Sequence, residues 1–177
     1  METFEAISGR FSYRGIYKDT PIPREHLKMI MQAGLDAPSG CNKQTTSIIA
    51  VDDKELLARL RAVMNLSKGE TAPSMICVLT RKIIAYKNRM FYVQDYSAAI
   101  QNMLLAIHAL GYASCWIEGN ITEEDRICDK MAAILGVPDE YELVAFLPVG
   151  IAADEGRRVQ KKAFEARAWF NGFHADS

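Results

Sequence analysis

Asp95-Tyr96-Ser97-Ala98-Ala99-Ile100-Gln101-Asn102-Met103-Leu104-Leu105-Ala106-Ile107-His108-Ala109-Leu110-Gly111 carries the clearest single period in the chain. Ile100, Met103, Leu104, Ile107 and Leu110 recur at helical spacing, which predicts a helix over 96–110. Asp95 stands at its N-cap position, and Gly111 supplies a left-handed stop. The helix is apolar round much of its circumference, so it belongs at the centre of the fold. His108 has no acidic or cysteine side chain three or four residues away. It reads as a packed or partly exposed histidine rather than a ligand.

Downstream, residues 113–117 read as a strand that runs into Glu118-Gly119-Asn120. Thr122 is then expected to cap a helix through Leu135, closed by Gly136 and Pro138, before a last strand over 141–151. The tail is basic at first (Arg157, Arg158, Lys161, Lys162) and then aromatic (Phe164, Trp169, Phe170, Phe173). Four large aromatics on a polar tail predict that it packs on a partner subunit.

Upstream, Thr20-Pro21-Ile22-Pro23 marks a turn that opens a helix over 23–35. Glu25 sits in its first turn, and Leu27, Ile30, Met31 and Leu35 form one face. Pro38 ends it within a polar loop, Ala37-Pro38-Ser39-Gly40-Cys41-Asn42-Lys43-Gln44. Residues 46–51 are rich in β-branched side chains and read as a strand. Asp52 follows as a helix cap with Glu55 completing a capping box, and Leu56, Leu57, Leu60 and Met64 line one face. Residues 65–73 read as a loop, and the wholly apolar run 75–79 as a buried strand. No period dominates 82–94, which suits either a mobile segment near a ligand or a solvated excursion with core anchors.

The chain has 177 residues, 49% hydrophobic and 24% charged, with a formal net charge of −1. That length suits one domain with a single substantial core. The balanced charge argues against nucleic-acid binding, which needs a broad excess of Lys and Arg. No apolar run is long enough to cross a bilayer, and the acidic start (Met1-Glu2-Thr3-Phe4-Glu5) does not resemble a signal peptide. A cytoplasmic location is expected. Cys41, Cys77, Cys115 and Cys128 include no Cys-x-x-Cys pair, so they read as reduced thiols, with Cys77 and Cys115 inside apolar runs. No metal site is expected.

Near the start, Arg10-Phe11-Ser12-Tyr13-Arg14 alternates donors with aromatics. In an extended segment Arg10, Ser12 and Arg14 share one side while Phe11 and Tyr13 share the other. Two guanidinium forks and a hydroxyl are suited to gripping a phosphate. Taken alone, the same alternation also describes an ordinary half-buried segment with its polar side in water. Strand–helix alternation by itself suggests a parallel doubly wound sheet. However, no Gly-x-Gly-x-x-Gly or Walker-type loop follows any strand.

Three segments together resemble the nitroreductase family of FMN-dependent oxidoreductases. They are Arg10-x-Ser12-x-Arg14, the loop from Ala37 to Gln44, and the run from Asp95 through Gly111 to Trp116-Ile117-Glu118-Gly119. The likeness continues through Leu135-Gly136-Val137-Pro138 and Pro148-Val149-Gly150. It implies a single α+β domain over 1–177 with a mixed, mainly antiparallel sheet wrapped by helices, in an intertwined homodimer with FMN at its interface. That replaces the doubly wound expectation and gives the aromatic tail a partner to exchange with.

Carried over by residue, the resemblance implies that Arg10, Ser12 and Arg14 hold the FMN phosphate and ribityl chain. Pro38, Ser39, Asn42 and, more weakly, Gln44 reach the flavin from the other subunit. Glu118 and Gly119 face the isoalloxazine, with the Gly119 N–H at flavin N5. Arg158 or Lys161 supplies a late cation at the phosphate, with Lys161 the weak preference. The implied activity is ping-pong hydride transfer from NADH or NADPH through the flavin to a small aromatic acceptor, nitroaromatic or quinone. Tyr86, Phe91 and Tyr92 are candidates for stacking on it. Reductive dehalogenation, enone reduction, a flavin-consuming reaction or a non-catalytic flavin store are the competing readings on the same scaffold.

Overall fold

The computed structural model describes residues 2–64, 69–120, 122 and 124–173, so part of the loop expected over 65–73 and the end of the tail lie outside the described residues. In chain order the elements are α1 (Thr3–Gly9), α2 (Arg24–Leu35), β1 (Thr46–Val51), α3 (Lys54–Val63), β2 (Ser74–Thr80), β3 (Ile84–Tyr86), β4 (Arg89–Met90), α4 (Tyr92–Ala109), β5 (Ala113–Ser114), β6 (Ile117–Glu118), α5 (Ile127–Leu135) and β7 (Glu142–Gly150). The sheet runs β1-β2-β7-β5, with β6 also on β7, while β3 and β4 form a separate hairpin. Every ladder among the described residues is antiparallel.

This is the α+β arrangement expected above, not a doubly wound sheet. One helix between two strands carries the chain back once and leaves the strands parallel. The ten residues of α3 lie between β1 and β2, and β2 is paired antiparallel to β1.

All seven residues of β2 are buried, because helices cover both sides of the sheet. Met75, Cys77 and Leu79 pack with Leu57, Leu60, Cys128 and Met131 of α3 and α5. Ile76 and Val78 pack on the opposite side with Leu27 and Ile30 of α2 and Ile100, Met103 and Ile107 of α4. Two-residue alternation on a strand covered on both faces accounts for the continuous apolar run. On β7 the register slips so that Val78 faces Ala145 but Leu79 faces Leu143. The bulge sends Leu143 and Phe146, three residues apart, into the same layer. α4 is central as expected, and its Asn102 amide donates to the Ala33 carbonyl at 3.1 Å, tying it to α2.

Several boundaries differ from the expectations. α4 starts a turn early, at Tyr92, with Phe91 in the cap position, so Asp95 lies inside the first turn and does not cap the helix. The unassigned stretch 82–94 holds the β3–β4 hairpin and the first residues of α4. Its turn is Lys87-Asn88, with φ of 44° and 60°, the left-handed pair that a two-residue hairpin loop demands. The strand expected over 113–117 is split into β5 and β6, which keep one register on β7 across Cys115 and Trp116. Thr122 accepts only from the Asp125 N–H (3.2 Å), while Asn120 Oδ1 accepts the Cys128 N–H (3.0 Å) and so serves the start of α5. Asp53, not Asp52, caps α3 by accepting the Leu56 N–H at 2.8 Å. Asp52 instead forms a two-bond pair with Arg24 at 2.7 and 2.9 Å.

Asp53→Ala is therefore expected to lower stability by about 1 kcal/mol, the usual worth of an N-cap. Asp52→Ala should cost less, since its guanidinium partner is solvated. Urea denaturation of the two variants checks the order.

Candidate functional site

The segment 10–14 leaves α1 extended, with Arg10 at φ −63° and ψ 136°. The Tyr13 N–H donates to the Ser114 carbonyl at 2.9 Å, so the segment runs along β5. Tyr13 is 1% exposed, and its hydroxyl donates to the Ile16 carbonyl at 2.6 Å. Phe11 packs edge-on against it. The aromatics are thus on the core side, as the alternation predicts. Ser12 and Arg14 line a cavity of about 650 Å³ on the other side, together with Arg157, Arg158 and Asp154.

The tail builds the rest of that cavity by crossing the aromatic side of the segment. Gly156 makes the crossing possible: it sits at φ +62°, and a Cβ there would lie 2.8 Å from Tyr13 and 2.9 Å from Phe11. Arg158 then donates to the Gly9 carbonyl at 2.7 Å, with its guanidinium 4.6 Å from the Phe11 ring centre. Three guanidiniums against one carboxylate make the cavity cationic. Of the two tail residues weighed above, Arg158 lines it and Lys161 does not. Arg157 was not singled out, and its only signal was its place in the basic run.

Arg10 is placed differently from Ser12 and Arg14. It borders a hole of about 30 Å³ shared with His108 and Ser114, and its buried Nε has no hydrogen-bond partner among the described residues. Burial, reinforced by the charges of Arg158 and then Arg10, pushes the His108 imidazole below its ordinary pKa. The histidine is a packed one, as expected, but it faces the cations.

The loop 37–45 is held by a residue that sequence reasoning had given another task. Asp95, 4% exposed, accepts the Gly40 N–H at 2.8 Å and the Thr45 hydroxyl at 2.7 Å. Ser39 Oγ accepts the Gln44 N–H at 3.0 Å. Cys41, Asn42 and Gln44 all take positive φ, at 51°, 53° and 47°, a strained path that needs such anchors. Pro38, Ser39 and Gln44 line a cavity of about 190 Å³ with Asp95, while Asn42 is exposed outside it. Phe91 packs beneath Gly40, where an added Cβ would lie 2.6 Å from the ring. Tyr92 lies under the Lys82 ammonium at 5.6 Å, and Tyr86 is exposed on the hairpin.

Glu118 ends β6, and Gly119 follows it, buried. A Cβ on Gly119 would lie 1.9 Å from Cys128 Sγ, so α5 packs directly on the glycine. Partial burial pushes the Glu118 carboxyl above its ordinary range, and the buried Trp116 Nε1 has no hydrogen-bond partner among the described residues. Burial, followed by the charge of Glu118, also raises the Tyr96 phenol. Trp116 and Tyr96 meet edge to face at 6.5 Å. Glu118 is itself exposed, within electrostatic range of Tyr96 in the first half of α4.

The predicted residues form two groups set along α4. Arg10 and Arg158 lie within electrostatic range of His108 near its C-terminal end, and the loop 37–45 is pinned to Asp95 in its first turn. At 1.5 Å per residue these two points are about 20 Å apart.

Asp95→Asn leaves one loop donor facing an amide N–H₂ instead of a carboxylate oxygen. It is expected to lower stability by roughly 1.5–3 kcal/mol, measured by denaturant unfolding. Local loss of amide-exchange protection at Gly40 would locate the damage in the loop.

The sequence model of the nitroreductase family matches residues 7–66 and 61–151. A protein of Archaeoglobus fulgidus, provisionally named an NADH dehydrogenase/NAD(P)H nitroreductase, is 31% identical over 173 residues, covering 96% of this chain and 94% of its own. The crystal structure of an FMN-dependent nitroreductase from Clostridium difficile is similar with a TM-score of 0.80 and 27% identity, over 96% of this chain and 99% of that one. A nitroreductase with bound FMN from Bacteroides fragilis superposes with a TM-score of 0.75 at 25% identity, over 96% and 98% of the two chains. With the family's sequence model matched along most of its length and its fold reproduced, this chain belongs to the nitroreductase family.

Proposed function

We propose that the protein is an FMN-dependent, NAD(P)H-oxidising oxidoreductase that works as a homodimer. The observation that carries this reading is the cationic cavity at Ser12, Arg14, Arg157 and Arg158. A phosphate dianion suits three guanidinium forks and a hydroxyl. The unpartnered Arg10 Nε nearby has a donor to spare. Arg10, Ser12, Arg14 and Arg158 are the residues assigned to the phosphate and ribityl chain, with Arg157 added to them.

A dimer is supported by three features of the single chain. The cation cluster and the loop 37–45 lie at opposite ends of α4, so one ligand touching both draws them from two copies. β1 pairs only with β2 among the described residues, and its outer edge borders an apolar groove that includes Leu27, Met31 and Leu35. Phe164, Phe170 and Phe173 in the tail are 60%, 78% and 74% exposed, a liability that a partner would remove. In this arrangement Pro38, Ser39, Asn42 and Gln44 of one copy approach the flavin held by the other.

The chemistry that bound FMN supplies is hydride transfer in two halves, in from NADH or NADPH and out to a nitroaromatic, quinone or similar acceptor in ping-pong order. The protein binds, orients and excludes water. Glu118 and Gly119 would border the ring, with the glycine backbone N–H as the donor assigned to N5. The aromatic pair of Tyr96 and Trp116, and Tyr92 and Phe91 at the start of α4, offer flat apolar surface to a planar acceptor. Cys41, Cys77 and Cys128 are free thiols in the structure, in keeping with a reducing cytoplasmic setting.

Purified protein reconstituted with FMN should be yellow and should bleach on anaerobic addition of NADH or NADPH, then recover with a nitroaromatic or quinone. Protein that takes up no FMN would overturn the assignment. Arg10→Ala with Arg14→Ala should weaken FMN binding by roughly 1.5–3 kcal/mol for each charge-assisted hydrogen bond removed. Arg158→Ala should weaken it more than Lys161→Ala, by fluorescence titration of the flavin.

A further inference from the structure

His108 has no part in the roles assigned above, yet it stands beside the cations that carry the flavin reading. It lies in the last turn of α4, half-buried. Its Nε2 rests against the backbone of Gly9, where an added Cβ would lie 2.7 Å away. The Gly9 carbonyl accepts the hydrogen bond that Arg158 donates at 2.7 Å, and Arg10 borders the same small hole as the imidazole. A single glycine therefore stands between a titratable ring and a guanidinium that also lines the cationic cavity.

The charges acting on the ring have one sign among the described residues. Burial, and then the charges of Arg158 in the tail and Arg10 in the extended segment, disfavour the imidazolium. From α1 the ring meets Gly9 at the C-terminal end, while Glu2 and Glu5 join in the capping box at the other end. The phenols that border the hole are committed elsewhere. Tyr13 donates to the Ile16 carbonyl, and Tyr112 meets Nδ1 of His26, on α2, at 2.7 Å. Against the two cations stands the position itself, since the last turn of a helix favours a positive side chain. An anion held by Arg158 and Arg10 cancels the unfavourable field and leaves the favourable one.

We propose that filling the cationic cavity with a phosphate dianion is coupled to proton uptake at His108, so that FMN is held more tightly when the imidazole is charged. The inference rests on the flavin reading and adds pH control to that same site. Bound phosphate raises the midpoint of His108, so the extra affinity is fully present below the flavin-free midpoint. It is lost as pH rises through the bound one. The FMN phosphate has its own titration near about pH 6, so affinities are compared with those of His108→Gln, in which only that titration remains.

The imidazole Hε1 resonance of His108 is identified by its loss in His108→Gln or by correlation to its own backbone. It is followed by NMR against pH in the full-length protein without flavin, with FMN, and with riboflavin, which lacks the phosphate. The midpoint is expected to rise by on the order of half a pH unit with FMN and to stay in place with riboflavin. Fluorescence titration should show the wild type gaining about threefold in FMN affinity over His108→Gln between about pH 8 and 5.5, the half unit expressed as a ratio. Arg158→Ala should raise the flavin-free midpoint, and with the wild-type midpoints it carries the test if His108→Gln fails to fold. FMN bound with an unmoved His108 midpoint, an equal rise with riboflavin, or a constant affinity ratio across pH would overturn this inference alone. Protein that binds no FMN would overturn the flavin reading together with it.

Discussion

α4 has to bury a broad apolar surface, and that requirement organises the rest of the molecule. Ile100, Met103, Leu104 and Ile107 are pressed against β2, β7 and α2, so the helix cannot slide or rotate without opening the core. Its two ends then serve as fixed points. One receives the N-terminal segment and the tail around His108. The other receives the loop 37–45 through Asp95. A long rigid helix thus sets the spacing of two chemically different surfaces, and a loop with three positive-φ residues keeps its shape because its anchor is embedded in that helix.

The cation cluster depends on the same economy of placement. Guanidiniums near one another repel, and Arg158 is held here by contacts that do not involve an anion. Arg158 is fixed by a backbone carbonyl and an aromatic face, and the tail reaches that position only because Gly156 has no side chain to strike Tyr13 and Phe11. Like charges assembled in advance leave little reorganisation to be done when a dianion arrives. Gly119 shows a related overlap of roles. The backbone bareness that suits close approach to a flat ring is also demanded by Cys128 behind it. Packing alone would therefore exclude a side chain there.

The helices α2 to α5, the apolar strand β2, the central place of α4 and the core-facing side of Phe11 and Tyr13 were legible in the chain, because each follows from a local period of two or 3.6 residues, whereas the short helix α1 was not. The family likeness was equally legible, in the order of three short motifs. Less legible were the points where a side chain has several local uses. Asp95 and Asp52 both looked like helix caps, and both are committed to distant partners, Gly40 with Thr45 and Arg24. Asp53 took the capping role by one position.

The amino-acid sequence by itself determined the longer helices and the strands β1, β2 and β7, which of their faces are apolar, and that a donor-rich stretch lies near the start of the chain. Those properties depend on neighbours a few residues away. The tertiary structure alone decided that β2 returns antiparallel, that Arg157 and Arg158 join Ser12 and Arg14 across some 140 residues, and that Arg10 shares a hole with His108. Such juxtapositions come from loop paths and from competition among partners remote in sequence. No local period encodes them.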